Sequence, residues 1–247
     1  MILLVDAGNS RIKWALASDG KLHGHGAFPW RGASVGTLLN QHWRKLENIQ
    51  RVFIANVGGA SLRTALGDWV QTHRGINIDC AQTQAQACGV TNGYREFQRL
   101  GVDRWLSLLA AWSRHARACC IVDCGTAVTL DAINAKGEHL GGLIVPGLGL
   151  MHDALARNTD ALALAPANSP DLLARDTRTA MSGGSLQAIV GFIELTVSRL
   201  REQLGEGPTC LLTGGDAGQI LPRLSQTWEH RPYLVLEGLQ QLAGLPR

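Results

Sequence analysis

The sequence lacks the cysteine patterns that mark two common classes of protein. Six cysteines in a chain of 247 residues do not make the disulfide framework of a small secreted domain. No Cys-x-x-Cys pair occurs, which argues against a structural zinc site. We therefore expect a reduced protein in which Cys119, Cys120 and Cys124 pack as small apolar residues.

A strong charge bias and long apolar runs are also missing. Lys and Arg number 23 against 20 Asp and Glu, and the net charge of +3 is too small to indicate binding to nucleic acid or to a membrane surface. No apolar run approaches the ~20 residues that span a bilayer. The N-terminus MILLVDAGNSRIK has no basic region and reaches Asp6 early, unlike a signal peptide. These absences predict a soluble, cytoplasmic protein.

Two familiar nucleotide-binding motifs are absent as well. Without G-x-x-x-x-G-K-[ST], any kinase activity cannot be of the P-loop type. No G-x-G-x-x-G follows a predicted strand, which weakens a dinucleotide-binding interpretation. The segment GASVG at 32–36 fits G-x-S-x-G, but the residues FPWR before it do not form a buried strand. We interpret that match as chance rather than as a hydrolase nucleophile.

What the sequence does contain is an internal repeat. Residues 2–10, ILLVDAGNS, and residues 119–127, CCIVDCGTA, each have an apolar run that ends in Asp-x-Gly and a small polar residue. An offset of 117 residues relates four pairs of positions: Asp6 and Asp123, Gly8 and Gly125, Gly20 and Gly137, Gly24 and Gly141. Each half is therefore predicted to open with three strands joined by glycine turns.

Alternating helices and strands follow each three-stranded opening. Hydrophobic residues make up 45% of the chain and charged residues 17%, enough for a sizeable core. The pattern predicts an α/β protein of two touching lobes, 1–116 and 117–247, with a hinge near residue 117. Helices are predicted over 35–46, 61–72, 102–115, 149–157, 177–203 and 217–224 and at the C-terminus, strands over 51–55, 76–79, 210–213 and 233–236, and a loop over 161–171.

The two Asp-x-Gly turns are suited to binding phosphate. A turn of this kind presents several backbone N–H groups at one point, and glycine allows phosphate oxygens to approach closely. Asn9 and Ser10 in one turn, and Thr126 and Thr129 in the other, add side-chain donors. A carboxylate such as Asp6 beside a phosphate requires a divalent cation or its water shell between them. One isolated copy is more often only a tight turn, but two copies in register favour a polyphosphate site.

On these residues the two halves resemble the duplicated lobes of the actin, sugar-kinase and heat-shock ATPase superfamily. More specifically, the chain resembles type III pantothenate kinase, a bacterial enzyme of coenzyme A biosynthesis. Ser10 stands where Thr is commoner, and Asp176 stands where Asn is common. The matching motifs are DAGNSRIK at 6–13, Tyr94 with GVDRW at 101–105, DCGTAVT at 123–129, GGLIVPGLGLMHDAL at 141–155, DTRTAMSGG at 176–184 and TGG at 213–215.

The resemblance implies a kinase with ATP in the cleft between two actin-like lobes, each a mixed sheet with helices. It implies a monovalent cation, potassium or ammonium, at Asp123, and magnesium carried with ATP. It also implies a homodimer in which the partner subunit helps to enclose the substrate. The implied ATP contacts are Asp6, Ala7, Gly8, Asn9, Ser10, Arg11, Ile12, Lys13 and Thr126. The implied pantothenate contacts are Tyr94, Gly101, Val102, Asp103, Arg104 and Thr177, with Asp103 as the catalytic base.

The residues taken alone leave alternatives open. Asp103 lies at the start of an amphipathic helix, where Asp is a favoured N-cap, so it could be a cap as well as a base. Arg104 could be solvated, or it could pair with the carboxylate of an acidic substrate. Lys13 could neutralise phosphate charge or be solvated at a strand edge. Asp123 ends an apolar strand, so we expect it to be at least half buried, with a bound cation as its partner.

Two other functions also fit the sequence. One is a kinase of the same fold for another small hydroxyl substrate, such as a sugar. The other is a regulatory protein that binds nucleotide without phosphotransfer, which would have no need of Asp103 beside Arg104. The apolar faces of the predicted helices over 102–115 and 177–203 exceed what two small lobes can cover, which again indicates a dimer.

Overall fold

The computed structural model describes residues 1–157, 172–205 and 207–244, so the predicted loop over 161–171 lies outside the described residues. The described chain groups into two compact units. The first contains Met1–Ala116, Gly137–His139 and the described residues from Tyr233 onward. The second contains Arg117–Lys136 and the described residues of Leu140–Pro232.

The order of elements follows the predicted repeat. The strands are β1 (Ile2–Ala7), β2 (Arg11–Ser18), β3 (Lys21–Pro29), β4 (Arg51–Asn56), β5 (Ile78–Cys80), β6 (Gln86–Ala87), β7 (Val90–Thr91), β8 (Cys119–Cys124), β9 (Ala127–Ile133), β10 (His139–Pro146), β11 (Thr209–Thr213) and β12 (Glu229–His230). The helices are α1 (Val35–Trp43), α2 (Ala60–Arg74), α3 (Val102–His115), α4 (Leu148–Arg157), α5 (Thr177–Leu204), α6 (Ala217–Ile220) and α7 (Leu234–Leu242).

The first unit is a mixed five-stranded sheet with helices packed against it. Its strand order is β3-β2-β1-β4-β5, with β1 antiparallel to β2 and parallel to β4. The turn between β2 and β3 consists of Asp19 and Gly20, both with positive φ (49° and 76°), which is the geometry of a tight hairpin. α1 and α2 contribute Leu39, Trp43 and Leu66 to the core with the apolar residues of β1 and β2. α3 packs along α7, and both also contact the sheet.

The second unit repeats this topology. Its strand order is β10-β9-β8-β11-β12, with β8 antiparallel to β9 and parallel to β11. The core contains Val122 and Leu212 from the sheet together with Ile189, Ile193 and Val197, which recur along one face of α5. In both units the aspartate of the Asp-x-Gly turn follows a buried strand residue and is the second-last residue of the antiparallel pair. The sheet therefore positions the two turns in the same way within each unit.

The 117-residue offset holds for some elements and not for others. β1 and β8 correspond residue for residue, and Gly20 and Gly137 have nearly equal φ values of 76° and 80°. β2 and β9 do not correspond, because Asp6 pairs with Lys13 whereas Asp123 pairs with Thr129. The turn after β8 is one residue shorter than the turn after β1. An extra residue in the next turn restores the offset at Gly137, which hid the shift from the sequence.

One predicted strand is wrong. The residues 233–236, YLVL, belong to the start of α7, and the last strand is β12 at Glu229–His230. A run of four apolar residues is compatible with a strand or a buried helix, and here Gly238 decides the packing. A Cβ at that position would lie 2.1 Å from the carbonyl oxygen of Leu106, so α7 and α3 approach closely there. The helix predicted over 217–224 is the short α6 followed by a 3-10 turn over Leu221–Arg223, and the hairpin of β6 and β7 was not predicted.

Among the described residues, α5 is the one helix long and apolar enough to cross a membrane, judged by length and composition alone. A third of its most apolar window (33%) is buried inside the protein, and it supplies core residues to the second unit. The expectation of no membrane association therefore stays a prediction.

Candidate functional site

The first Asp-x-Gly turn is held by backbone hydrogen bonds. The N–H of Gly8 donates to the carbonyl of Arg11 (3.0 Å), with Asn9 and Ser10 between them. The carbonyl of Ala7 accepts from Val57 and Gly58, both at 3.0 Å, so the segment after β4 packs on the turn. Gly58 is required there, because a Cβ would lie 2.9 Å from the carbonyl oxygen of Gly8. This contact was not predicted from the sequence. The signal for it was the pair of glycines that follows the fourth strand of each unit.

Charged groups lie next to this turn. Asp6 is buried, with 9% of its surface exposed, and its direct cross-strand partner is Lys13. Directly opposed residues of an antiparallel pair place their side chains on the same face of the sheet. Lys13 is half buried rather than freely solvated at the strand edge. A carboxylate and an ammonium group therefore lie at the base of the turn whose exposed end is Asn9.

The second turn is shorter and more tightly enclosed. The N–H of Gly125 donates to the carbonyl of Ala127 (3.1 Å), which leaves only Thr126 between them, exposed to solvent. Gly147 donates to the carbonyl of Thr126 (3.0 Å), and a Cβ on Gly147 would lie 2.2 Å from the carbonyl of Gly125. Gly214 has a φ of 100°, and a Cβ at this position would lie 2.3 Å from the backbone of Cys124. Backbone thus surrounds this turn on two sides.

A second carboxylate, Asp216, lies near this turn and was not predicted as a site residue. Its N–H donates to the carbonyl of Cys124 (2.9 Å), and burial raises the pKa of its carboxyl, an effect that nearby His152 opposes. Burial also raises the pKa of the Cys124 thiol, and the charges of Asp123 and Asp216 raise it further. Asp123 is half buried, as expected. The sequence TGGD at 213–216, at the end of a strand, is the pattern from which Asp216 could have been predicted.

The structure brings Tyr94, Asp103 and Arg104 together at the start of α3. Arg104 is buried, with 7% of its surface exposed, so the solvated alternative is wrong. Its Nη1 donates to the hydroxyl of Tyr94 (2.8 Å), and its guanidinium carbon lies 5.4 Å from the Tyr94 ring centroid. A buried guanidinium beside an aromatic hydroxyl is suited to binding a carboxylate.

Asp103 is not the N-cap of α3. Gly101 holds that position. Val102 is the first residue of the helix and Asp103 is the second. Its Oδ1 accepts from the N–H of Arg104 (2.8 Å), one of the donors that a helix start leaves without an intrahelical partner. A Cβ on Gly101 would lie 2.6 Å from the same Oδ1. The glycine therefore leaves room for the Asp103 carboxylate beside the helix start.

Thr177 lies in the second unit, at the exposed first residue of α5. The residue before it, Asp176, is the N-cap and accepts from the N–H of Thr179 (2.9 Å). This hydrogen bond lowers the pKa of Asp176. The departure from the family pattern at 176 therefore has a structural role. Of the predicted residues, Asp123, Thr126 and Thr177 lie in the second unit and the others in the first.

A metal held only by protein side chains is not supported by the described part of the chain. No group of three or more His, Cys, Asp or Glu residues there could hold a metal ion. The described cysteines are free thiols, and burial raises the pKa of Cys119 to about 12. A cation near Asp123 would therefore take most of its ligands from backbone, hydroxyl, water or phosphate oxygens.

Comparisons with solved structures identify the fold. The chain aligns over 98% of its length with a conserved Baf family protein from Campylobacter jejuni (TM-score 0.61, 21% identity, 97% of that chain). It also aligns with a glucokinase from an Antarctic psychrotroph (TM-score 0.51, 11% identity, 98% of each chain). At these identities the likeness concerns the fold alone, and it confirms the predicted actin-like α/β class.

Comparisons of sequence identify the family. A family profile described as Type III pantothenate kinase matches residues 2–199. A type III pantothenate kinase of Nitrosococcus oceani is 41% identical over 98% of this chain and 94% of its own length. One from Alkalilimnicola ehrlichii is 38% identical over 98% of this chain and 97% of its own length. The resemblance seen in the motifs is confirmed, and the chain belongs to the type III pantothenate kinase family.

Proposed function

We propose that this chain catalyses the ATP-dependent phosphorylation of pantothenate to 4′-phosphopantothenate, the first step of coenzyme A biosynthesis. Family membership supports the reaction, and the kinase uses ATP with a divalent metal. The observation that carries the proposal in this chain is the cluster at the start of α3. There a buried arginine and a tyrosine hydroxyl lie beside an aspartate, the chemistry needed to hold an acidic substrate and accept a hydroxyl proton.

Asp103 is the proposed catalytic base. A primary alcohol is a weak nucleophile, and its proton must leave as the bond to the γ-phosphorus forms. The carboxylate of Asp103 lies in the first turn of α3, beside the buried Arg104. Arg104 pairs with the carboxylate of pantothenate, supported by Tyr94, while Gly101, Val102 and Thr177 complete the substrate contacts. Catalysis then consists of positioning and charge neutralisation.

Each of the two turns is proposed to contact the phosphates of ATP. Residues 6–13 and Thr126 contact the phosphates, and Lys13, on the same sheet face as Asp6, neutralises part of their charge. The first turn accommodates oxygens at its exposed end, where Asn9 is accessible. The second turn offers the hydroxyl of Thr126 at its tip. The hydrogen-bonded geometry of the turns supports both proposed contacts.

A monovalent cation, potassium or ammonium, is proposed at Asp123. Two half-buried carboxylates, Asp123 and Asp216, lie near the second turn and would repel a phosphate there. A cation held by Asp123 would supply the positive charge that lets phosphate and carboxylates share the site.

The cation proposal is tested by comparing turnover in potassium, ammonium and sodium buffers. We expect turnover to collapse in sodium alone and to recover with either of the other two ions. Asp123→Asn should reduce the difference between the buffers. Equal rates in all three buffers would remove the proposal.

A cytoplasmic homodimer is also proposed. The prediction that the apolar face of α3 is left for a second copy is wrong, because the residues from Arg104 to Ala111 are buried within the first unit. Support comes instead from the second unit, where β10 exposes Leu143 and Ile144 and α5 exposes Leu195. Exposed apolar groups of this size mark surfaces that associate. A second copy of the chain is the proposed occupant.

The reaction is tested by a coupled assay of ADP release with pantothenate and with a panel of sugars as acceptors. We expect turnover with pantothenate and background rates with the sugars. Comparable rates with a sugar would assign a different acceptor. ATP binding with no turnover on any acceptor would favour the regulatory alternative.

A further inference from the structure

His139 lies against the proposed substrate cluster, and no role has been assigned to it above. It is the first residue of β10, belongs to the first unit and is buried, with 3% of its surface exposed. Its ring stacks on that of Tyr94, with ring centroids 5.8 Å apart and planes 13° from parallel. The same tyrosine ring contacts the guanidinium of Arg104 and accepts a hydrogen bond from it through the hydroxyl. His139 is therefore connected to Arg104 through one side chain.

His139 also contacts the backbone that carries Tyr94. The N–H of Gly93 donates to Nδ1 of His139 over 3.4 Å, across 46 positions of sequence. The backbones approach so closely that a Cβ on Gly93 would lie 1.9 Å from the carbonyl oxygen of His139. On the other side, the N–H of Tyr94 donates to Oδ1 of Asn92 (3.0 Å). Tyr94 lies outside any helix or strand, so its position depends on contacts such as these and those with Arg104.

We infer that His139 is a positioning residue for the acceptor substrate. It holds the Tyr94 ring and the Gly93 backbone, so that the tyrosine hydroxyl keeps the Arg104 guanidinium in one orientation. This inference rests on the proposed roles of Tyr94 and Arg104. A binding group on a loop needs supporting contacts to be held in a productive geometry. Loss of His139 should therefore weaken pantothenate binding without affecting the two phosphate turns.

Three substitutions separate the contacts of His139. His139→Phe keeps a stacking ring and removes the Nδ1 acceptor, whereas His139→Asn keeps an acceptor and removes the ring. His139→Ala removes both. The matched control is His42→Ala, because the His42 ring also stacks on an aromatic side chain, Phe28 (centroids 4.3 Å apart), but lies on α1.

We expect His139→Ala to raise the KM for pantothenate about 3- to 10-fold, the scale of one lost aromatic contact. The KM for ATP should stay within about two-fold of wild type on the same scale. Either His139→Phe or His139→Asn should have a pantothenate KM close to that of the wild type. The variant that does so shows whether the stacked ring or the Nδ1 acceptor holds Tyr94. His42→Ala should leave both KM values unchanged.

Equal changes in both KM values, or a lower melting temperature with unchanged kinetics for all three variants, would overturn the inference. If His139→Ala does not fold, the Phe and Asn variants decide by the same comparison. Arg104→Gln distinguishes this failure from failure of the proposed function. A raised pantothenate KM for Arg104→Gln with none for the His139 variants removes only the role of His139. An unchanged pantothenate KM for Arg104→Gln removes the proposed substrate cluster itself.

Discussion

The two Asp-x-Gly turns have the same sheet position but differ in how they are enclosed. In the first unit, two residues separate Gly8 from its hydrogen-bond acceptor, and the side chains of Trp30 and Arg31 donate to the turn carbonyls. In the second unit only Thr126 lies between, and Gly147 and Gly214 approach the turn by backbone. Backbone thus packs on both turns, more closely on the second, and side chains also donate hydrogen bonds to the first.

The units also differ in how they cover their apolar surface. Among the described residues, the large hydrophobic side chains that remain exposed all belong to the second unit, on β10, on α4, on α5 and just before α5. The first unit instead buries its apolar side chains against α1, α2, α3 and α7. The first unit therefore carries the proposed acceptor cluster among covered apolar side chains, whereas the second leaves large apolar side chains exposed.

The largest loss of stability is expected when a side chain fills the space beside the second turn. Gly214→Ala adds a Cβ within 2.3 Å of the Cys124 backbone at a φ of 100°, so it should cost about 3 kcal/mol or more. Gly58→Ala beside the first turn should cost less, because the nearest backbone atom is 2.9 Å away. Urea unfolding measures both. Gly215→Ala is the matched control, because a Cβ there meets nothing within 4 Å. Equal losses for all three variants would contradict the comparison of the turns.

An intermediate effect is expected at the exposed surface of the second unit. Ile144 on β10 is 60% exposed. The variant Ile144→Asp places a charge on this apolar surface, which should prevent association of two copies. Light scattering should give twice the chain mass of 26.5 kDa for the wild type and one chain mass for the variant. Gln41→Asp, an exposed site on α1, should stay a dimer. A wild-type monomer at micromolar concentration would contradict the proposed surface.

Local patterns made most of the fold predictable from the sequence. Glycines at positive φ and alternating apolar residues fix three-stranded openings within about thirty residues, and both openings are as predicted. The shifted register of β9 was not predictable, because a shorter turn is compensated by a longer one. The false strand at 233–236 arose because a short apolar run has no periodicity of its own, and its contact with Leu106 is distant in sequence.

The candidate site was predictable where its residues are close in sequence. Tyr94, Asp103 and Arg104 lie within eleven positions, and the structure does bring them together. His139 and Asp216 were missed because their contacts are with residues far along the chain. The N-cap interpretation of Asp103 failed because Gly101, which has no side chain to cap with, begins the helix two residues earlier.

The smallest effect on stability is expected at the start of α5, one of the two helices proposed to carry acceptor contacts. The N-cap of α3 is Gly101, which has no side chain to cap with, whereas the N-cap of α5 is Asp176, whose side chain accepts from the N–H of Thr179. The hydrogen bond from Thr179 lowers the pKa of Asp176 below its ordinary value of 3.8, so its charge stabilises the fold above that pH. Melting temperatures of wild type and Asp176→Asn should differ slightly at pH 7 and converge as the pH falls below 3.8. A difference that grows on acidification would contradict this role.

Asp103→Asn distinguishes a catalytic base in the first unit from a residue that only stabilises the start of α3. The substitution keeps size and one acceptor oxygen for the Arg104 N–H but removes the base, so kcat with pantothenate should fall about 10²–10⁴-fold. ATP binding and the melting temperature should stay near those of the wild type. Turnover of pantothenate within a few-fold of the wild type would contradict the account, because Asp103 would then only stabilise the start of α3.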